Sequence, residues 1–405
     1  MAPDVYGSAR LPSIRVFFIL FQIAWFLPIG RVFAQFVSQE HPVQRDEIRI
    51  GMSSSQTGRS GFVGEAVKRG CKAYFSKVNR QGGVFGRKLV LVSYDDRNEP
   101  LEAVANTQRL INADRVFALI GFNGAANCRA VLPMLNDARI VLVGPVTGAA
   151  GLHDPVPEMV FNTRPSYEEE IEVLIDRMVS DLKMTRVAIL CQRDSFGEGG
   201  KASTIKALES RGLSLAEEGW FLRNSLDVQD ALKVIIAAKP EAIVMFGGYK
   251  ACAEFVRRAK AGGLNKIPYC LLTSAATEDF IKLLGSQADG ILVPEVVPSP
   301  LDASLELVRN YQADMKAADD QNFDHGSLEG YVDALVLTDA LRRAGENLTQ
   351  ETFIHALETT HLDFGAFGVR FASKSHEGND KVFLTKVQEG QLVTVDRVSW
   401  ADFGR

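Results

Sequence analysis

The 405-residue chain has no block of basic residues, no cysteine pair at CxxC spacing and, past residues 1–34, no long apolar run. Each absence removes a class of function. Binding to nucleic acid requires clustered Lys and Arg to neutralise phosphates, and this chain carries a formal charge of −5, so no nucleic-acid partner is expected. A membrane span needs about 20 apolar residues, and none of that length follows the start of the chain. The five cysteines are Cys71, Cys128, Cys191, Cys252 and Cys270. None sits at metal or redox-motif spacing. Their odd number leaves at least one thiol unpaired. Cys191 and Cys270 lie in apolar runs and read as small buried hydrophobes.

Catalytic signatures are missing too. No GxxxxGK[ST] loop is present to hold a nucleotide, and Ser53-Ser54-Ser55 lies outside any GxSxG elbow. His153, His325, His355, His361 and His376 share no metal-ligand spacing such as HExxH. No GxGxxG opens the first βα unit, and no triad is visible. Neither a cofactor nor a metal is expected, and the chain reads as a non-enzyme.

The start of the chain has a layout of its own. Arg10 and Arg15 precede residues 16–29, VFFILFQIAWFLPI, in which only Gln22 is polar. Val32-Phe33-Ala34 then supplies a cleavage site. This is the pattern of a secretory signal peptide over 1–34, with an uncleaved anchor as the alternative. The mature protein is expected to be soluble and periplasmic.

From residue 46 onward, strand, turn and helix alternate. Strand candidates are 48–52, 89–94, 116–120 and 140–143, then 187–191, 242–246, 269–272 and 291–293. Their near-continuous apolar character fits strands buried on both faces of a parallel sheet. Stripes at helical spacing, such as Val63, Val67, Gly70, Tyr74 and Val78, lie between them. The series restarts near residue 186, which implies two α/β lobes, each doubly wound. Residues 155–165 carry three prolines and read as a crossing segment. Residues 381–396 read as a hairpin around Glu389-Gly390.

Ligands bind open α/β sheets beyond the carboxyl ends of the strands. That singles out the loops at 53–58, 121–127, 145–149, 193–197, 247–250 and 273–277. Ser55 and Thr57 offer hydroxyls on the first and are expected to line the first-lobe wall. Asn123 lies in Gly121-Phe122-Asn123-Gly124, either an anion-binding helix start or a tight βα turn. Asp95-Asp96 reads as a strand end and helix cap rather than an acid–base pair. Tyr167, Phe196 and Tyr249 map to one edge, where they close over a ligand or pack the lobe rim.

Seven stretches carry a family resemblance: IRIGMSSSQTGRSGFVGEAVKRGCKAYFSKVNRQGGVFGRKLVLVSYDDRNEP, GPVTGAAGL, FNTRPSYEEEI, RDSFGEGG, MFGGYKACAEFVRRAKAGG, LVPEVVPSP and SLEGYVDALVLTDALRRAG. In this order they resemble an exported solute-binding protein of an ABC transporter, of the leucine/isoleucine/valine-binding type. The resemblance implies two Rossmann-like lobes joined by three crossing strands, the type I periplasmic-binding-protein fold. Lobe 1 would span 46–164 plus 295–372, and lobe 2 would span 165–294 plus 373–402. It implies a monomer that holds a small ligand between the lobes and docks on a membrane permease.

By that resemblance, Ala125, Ala126, Val146 and Thr147 would grip a carboxylate and an ammonium, with Tyr249 and Phe196 approaching from the second lobe. Ala125 stands where relatives often carry a hydroxyl. Relatives also place an acid after the strand at 269–272, where this chain reads Thr273-Ser274-Ala275-Ala276. Glu278 and Asp279 follow, and a solvent-facing position is expected for them. An amino acid is the first ligand expected. An amide, a urea-like solute or an aromatic carboxylate is the alternative, as is a ligand sensor of the same fold. Asn98 takes the place of one half-cystine of some relatives, and pairing of Cys71 with Cys128 stays open.

Overall fold

The computed structural model describes residues 45–58, 61–272 and 277–404. The leader expected over 1–34 lies outside them, as does Ser274.

Five strands make the first sheet: β1 (Glu47–Ser54), β2 (Lys88–Asp95), β3 (Ala118–Ile120), β4 (Leu142–Val143) and β5 (Val160–Phe161). All are parallel, in the order β2-β1-β3-β4-β5. Helices α1 (Gly61–Arg80), α2 (Pro100–Asn112) and α3 (Ala125–Ala138) connect the first four. Strands β3, β4 and β5 are buried throughout, which is why their sequences are apolar without alternation.

The chain then enters a second α/β layer through α4 (Tyr167–Asp176). Ser166 and Glu169 start this helix with reciprocal capping bonds. Strands β6 (Val187–Gln192), β7 (Glu217–Phe221), β8 (Ala242–Phe246), β9 (Tyr269–Leu271) and β10 (Leu292–Glu295) alternate with α5 (Ser195–Glu209), α6 (Gln229–Ala238), α7 (Tyr249–Ala261) and α8 (Thr277–Leu284). Next come α9 (Glu306–Lys316), α10 (His325–Ala344), α11 (Gln350–Glu358) and a small antiparallel pair, β11 (His361–Asp363) and β12 (Gly368–Arg370). The closing strands β13 (Phe383–Gln388) and β14 (Gln391–Thr394) add antiparallel to β10, giving the order β14-β13-β10-β9-β8-β6-β7.

Helices α9, α10 and α11 follow a strand of the second sheet, yet Tyr311, Leu337 and Phe353 are buried in the core of the first. The chain therefore passes between the two cores three times: after β5, after β10 and before β13. Two of these passages touch, because Asn162 and Glu377 form a parallel bridge. This is an α/β architecture of two doubly wound lobes. All five cysteines are buried and free of disulfides, so Cys71 and Cys128 are not paired.

Helix α10 lies against α1 at backbone range. A Cβ on Gly70 would stand 1.9 Å from the Ser327 carbonyl oxygen, and one on Gly330 would stand 2.1 Å from that of Val67. The Cys71 thiol donates to the Gly330 carbonyl at 3.1 Å. No side chain can shift to make room for a methyl group here. Gly70→Ala should lower unfolding free energy by about 3 kcal/mol, the upper end of overpacking costs; urea unfolding with an unchanged midpoint would contradict this packing.

Candidate functional site

The carboxyl ends of both sheets face one another, and the loops there are built around short polar contacts. The Ser55 amide donates to Asn123 Oδ1 at 2.7 Å, and Asn123 Nδ2 returns a bond to Ser55 Oγ at 2.8 Å. The pair fastens the β1 loop to the β3 loop. Asp95 accepts from the amides of Gln56 at 2.8 Å and Arg97 at 2.9 Å. Asp96 accepts from Ser53 Oγ at 3.0 Å and from the Asn98 amide at 2.9 Å. Burial lifts the Asp96 carboxyl to about 6 against those bonds. The two carboxylates organise turns, as their place at a strand end suggested.

Two adjoining cavities lie between the sheets. The smaller, about 60 Å³, is bounded by Asn123, Ala125, Ala126 and Val146 on one side and by Tyr167 and Phe196 on the other. The larger, about 220 Å³, shares Phe62, Val63 and Val146 with it. Thus six of the expected residues come together around one space. Thr147 sits behind them, fully buried, with Oγ1 2.7 Å from the Tyr167 hydroxyl. Tyr249 packs edge-on against Phe62, ring centroids 4.6 Å apart.

Two expectations need correction. Neither Ser55 nor Thr57 lines either of these two cavities. Ser55 is spent on Asn123, and Thr57 is exposed with its hydroxyl held by Asp95. Glu278 and Asp279 line the larger cavity while their side chains stay 36% and 40% exposed, so they face the cleft as well as solvent. Glu278 Oε1 reaches across to His325 Nδ1 at 2.8 Å.

Several lining residues carried no signal in local pattern. Phe62 opens α1. Arg223 leaves β7, a strand whose two glutamates disguise it. His325 and Glu329 start α10, packed against the far end of the chain. Arg223 Nη2 donates to the Asn98 carbonyl, and Asn224 Nδ2 donates to Glu99 Oε1 at 2.8 Å. With Phe62 against Tyr249 and Glu278 against His325, these contacts hold the lobes together across the cleft. Among the described residues no group of three His, Cys, Asp or Glu side chains is placed to hold a metal, and no helix is long and apolar enough to cross a membrane.

The family profile described as "Periplasmic binding protein" matches residues 47–391. The chain belongs to that family. The family is periplasmic. An "Amino acid binding protein" of Pseudomonas aeruginosa is 26% identical over 260 residues, 62% of this chain and 69% of the relative. A "possible leucine/isoleucine/valine-binding protein" from Rhodopirellula baltica superposes with a TM-score of 0.83 at 25% identity, covering 89% of this chain and 99% of the other. A "substrate-binding periplasmic protein" from Ralstonia solanacearum gives 0.80 at 29% identity, over 86% and 100% of the two chains. The two-lobed architecture is the type I periplasmic-binding-protein fold.

In this periplasmic binding protein the interlobe ion pair is tuned by burial. Burial works against a charged His325 ring, but Glu295 at 4.0 Å and the bonded Glu278 outweigh it, with Asp324 adding to them. The pKa rises from 6.5 to about 9. A raised folded-state pKa adds stability that is complete below 6.5 and is lost as pH climbs through about 9. Relative to His325→Gln, the wild type should lose on the order of 3 kcal/mol of unfolding free energy between about pH 6 and about pH 10. A difference that stays flat over that window in urea titrations would refute the pairing.

Proposed function

We propose that the protein captures a small carboxylate-bearing solute between its lobes, an amino acid before other acids, and presents it to an ABC permease in the membrane. The reading takes lobe 1 as 46–164 plus 295–372 and lobe 2 as 165–294 plus 373–402, in a monomer exported by its leader. It binds without chemical turnover. The observation that carries it is the pair of adjoining cavities lined from both lobes, with the lobes in contact around them.

The chemistry of the two compartments is unequal. Gly124, which precedes helix α3, gives it no side-chain cap, so the first amides of α3 suit a carboxylate. Around the larger cavity stand the carboxyl groups of Glu65, Glu278, Asp279, Asp324 and Glu329, against the bases Arg69, Lys282 and His325. That excess suits an ammonium. Glu278 and Asp279 follow residues 273–276 closely and take over the part of the acid that those positions lack. The names of two of the relatives above, from Pseudomonas aeruginosa and Rhodopirellula baltica, support the amino acid as first ligand.

A second reading is favoured by the pairing of Glu278 with His325, which leaves less of its charge for a ligand. Phe62, Val146, Tyr167 and Phe196 would then hold an aromatic carboxylate, an amide or a urea-like solute. A sensor of the same fold would bind by the same contacts and differ only in the partner it meets.

Thermal unfolding of the exported chain against branched, polar and aromatic amino acids, amides, urea and aromatic carboxylates tests both readings. A ligand at about 100 times its Kd adds about 2.7 kcal/mol. Amino acids should give that stabilisation. Glu278→Gln and Asp279→Asn should each weaken an amino acid more than its des-amino acid, by about tenfold or 1.4 kcal/mol. Stabilisation by amides or urea alone would shift the assignment to the second reading, and none from any solute would overturn both.

A further inference from the structure

Three sources of positive potential converge on the smaller cavity. One is the uncapped start of α3, already described. The second is the start of α7, whose first flanking residue Gly248 also has no side-chain cap; Gly247 and Gly248 line the cavity from the second lobe. The third is Arg223, which also lines it.

The guanidinium of Arg223 is only partly used by the protein. Its side chain is 17% exposed. Nη2 is held by the Asn98 carbonyl and approaches Asn127 Oδ1 at 3.5 Å. Nε is buried and has no hydrogen-bond acceptor, the Asp194 carboxylate standing 3.7 Å away.

Among the described residues Asp194 is the one carboxylate lining this cavity, and it is occupied. It caps α5 through the amides of Phe196 at 3.0 Å and Gly197 at 3.3 Å, and it takes Gln192 Nε2 at 2.6 Å. Gln192 Oε1 takes the Gly248 amide at 3.4 Å and Asp194 faces Arg223 at 3.7 Å, long contacts that leave the donors between α3, α7 and Arg223 incompletely met.

We propose that Arg223 is the residue that selects a carboxylate over the matching carboxamide in this cleft, gripping the acid from the second lobe while α3 holds it from the first. The inference rests on the uptake of a carboxylate-bearing solute proposed above. A carboxylate offers only acceptors to this wall, and a guanidinium meets it with parallel donors. A carboxamide turns its NH₂ toward those donors and leaves them unmatched, which is costly in a buried site. The contact of Arg223 with Asn98 also ties the lobes together, and a tie of that kind supports every ligand equally. The ratio of acid to amide affinity separates the two roles.

The test uses leucine, phenylalanine and benzoate, each beside its carboxamide, titrated into the full exported chain by calorimetry and thermal shift. At least one acid should bind the wild type about tenfold or more tightly than its amide. Arg223→Gln should remove that preference, the acid losing about tenfold more affinity than its amide, and Arg223→Lys should keep part of it. Equal binding of acid and amide by the wild type would overturn this inference and leave solute capture standing. An acid preference that survives in Arg223→Gln would likewise overturn it. Absence of binding by every acid and every amide would overturn both.

Discussion

Arg164 is the fixed point of the molecule. It lies on the first passage between the lobes and is 1% exposed. Nη2 donates to Glu170 Oε1 at 3.0 Å, on the first helix of the second lobe. Nη1 donates to Glu329 Oε1 at 3.2 Å, on α10 of the first. A buried ion pair is weak evidence of net stability, but a buried charge deprived of one partner costs about 3–5 kcal/mol. The three residues are therefore bound to keep company, and each belongs to a different structural element. Nearby, Thr163 donates to Asp333 Oδ1 at 2.5 Å. Burial first, and then the charge of Glu329, holds that carboxyl well above the usual range. Charge at the crossing is set by position more than by composition.

From this anchor the cleft follows. The first passage leads directly to Ser166 and Tyr167, so the Tyr167 ring is placed against Phe196 and its hydroxyl against Thr147. On the other side, α10 starts at the larger cavity and presents His325 and Glu329 there. The same helix thus serves the anchor and the cavity. Contacts farther out, between Arg223 and Asn98 or Glu278 and His325, are polar and single-layered. Beside them, the rings of Phe62 and Tyr249 add an apolar contact across the cleft.

Much of this was legible in residue pattern, and the exceptions have physical causes. Strands β1, β6, β8 and β9 are legible nearly to their ends because burial on both faces forces continuous apolar sequence, and β2, a half-buried edge, is legible from its own apolar run. Strand β5 was missed inside a proline-bearing segment, where two residues suffice to pair with β4. Strand β7 was missed because its sequence, EEGWF, mixes charge with apolar residues at a sheet edge. That omission hid the loop after it, and with it Arg223. The loops at 121–127 and 145–149 were found from strand ends alone, and Asn123, Ala125, Ala126 and Val146 line the cavity. His325 had been weighed only as a metal ligand. Its partners Glu278 and Glu295 come from two other elements, and no spacing along the chain encodes that meeting.

The order in which the chain supplies its parts has a further consequence. The buried stripe of α1 finds its cover in α10, far along the chain, and the second sheet receives its last two strands from the closing hairpin. Loop-closure entropy must be met before such distant pairings reward it. Neither lobe can complete a core from a nascent or half-delivered chain. Both cores therefore wait on residues far along the chain, and the two halves consolidate together.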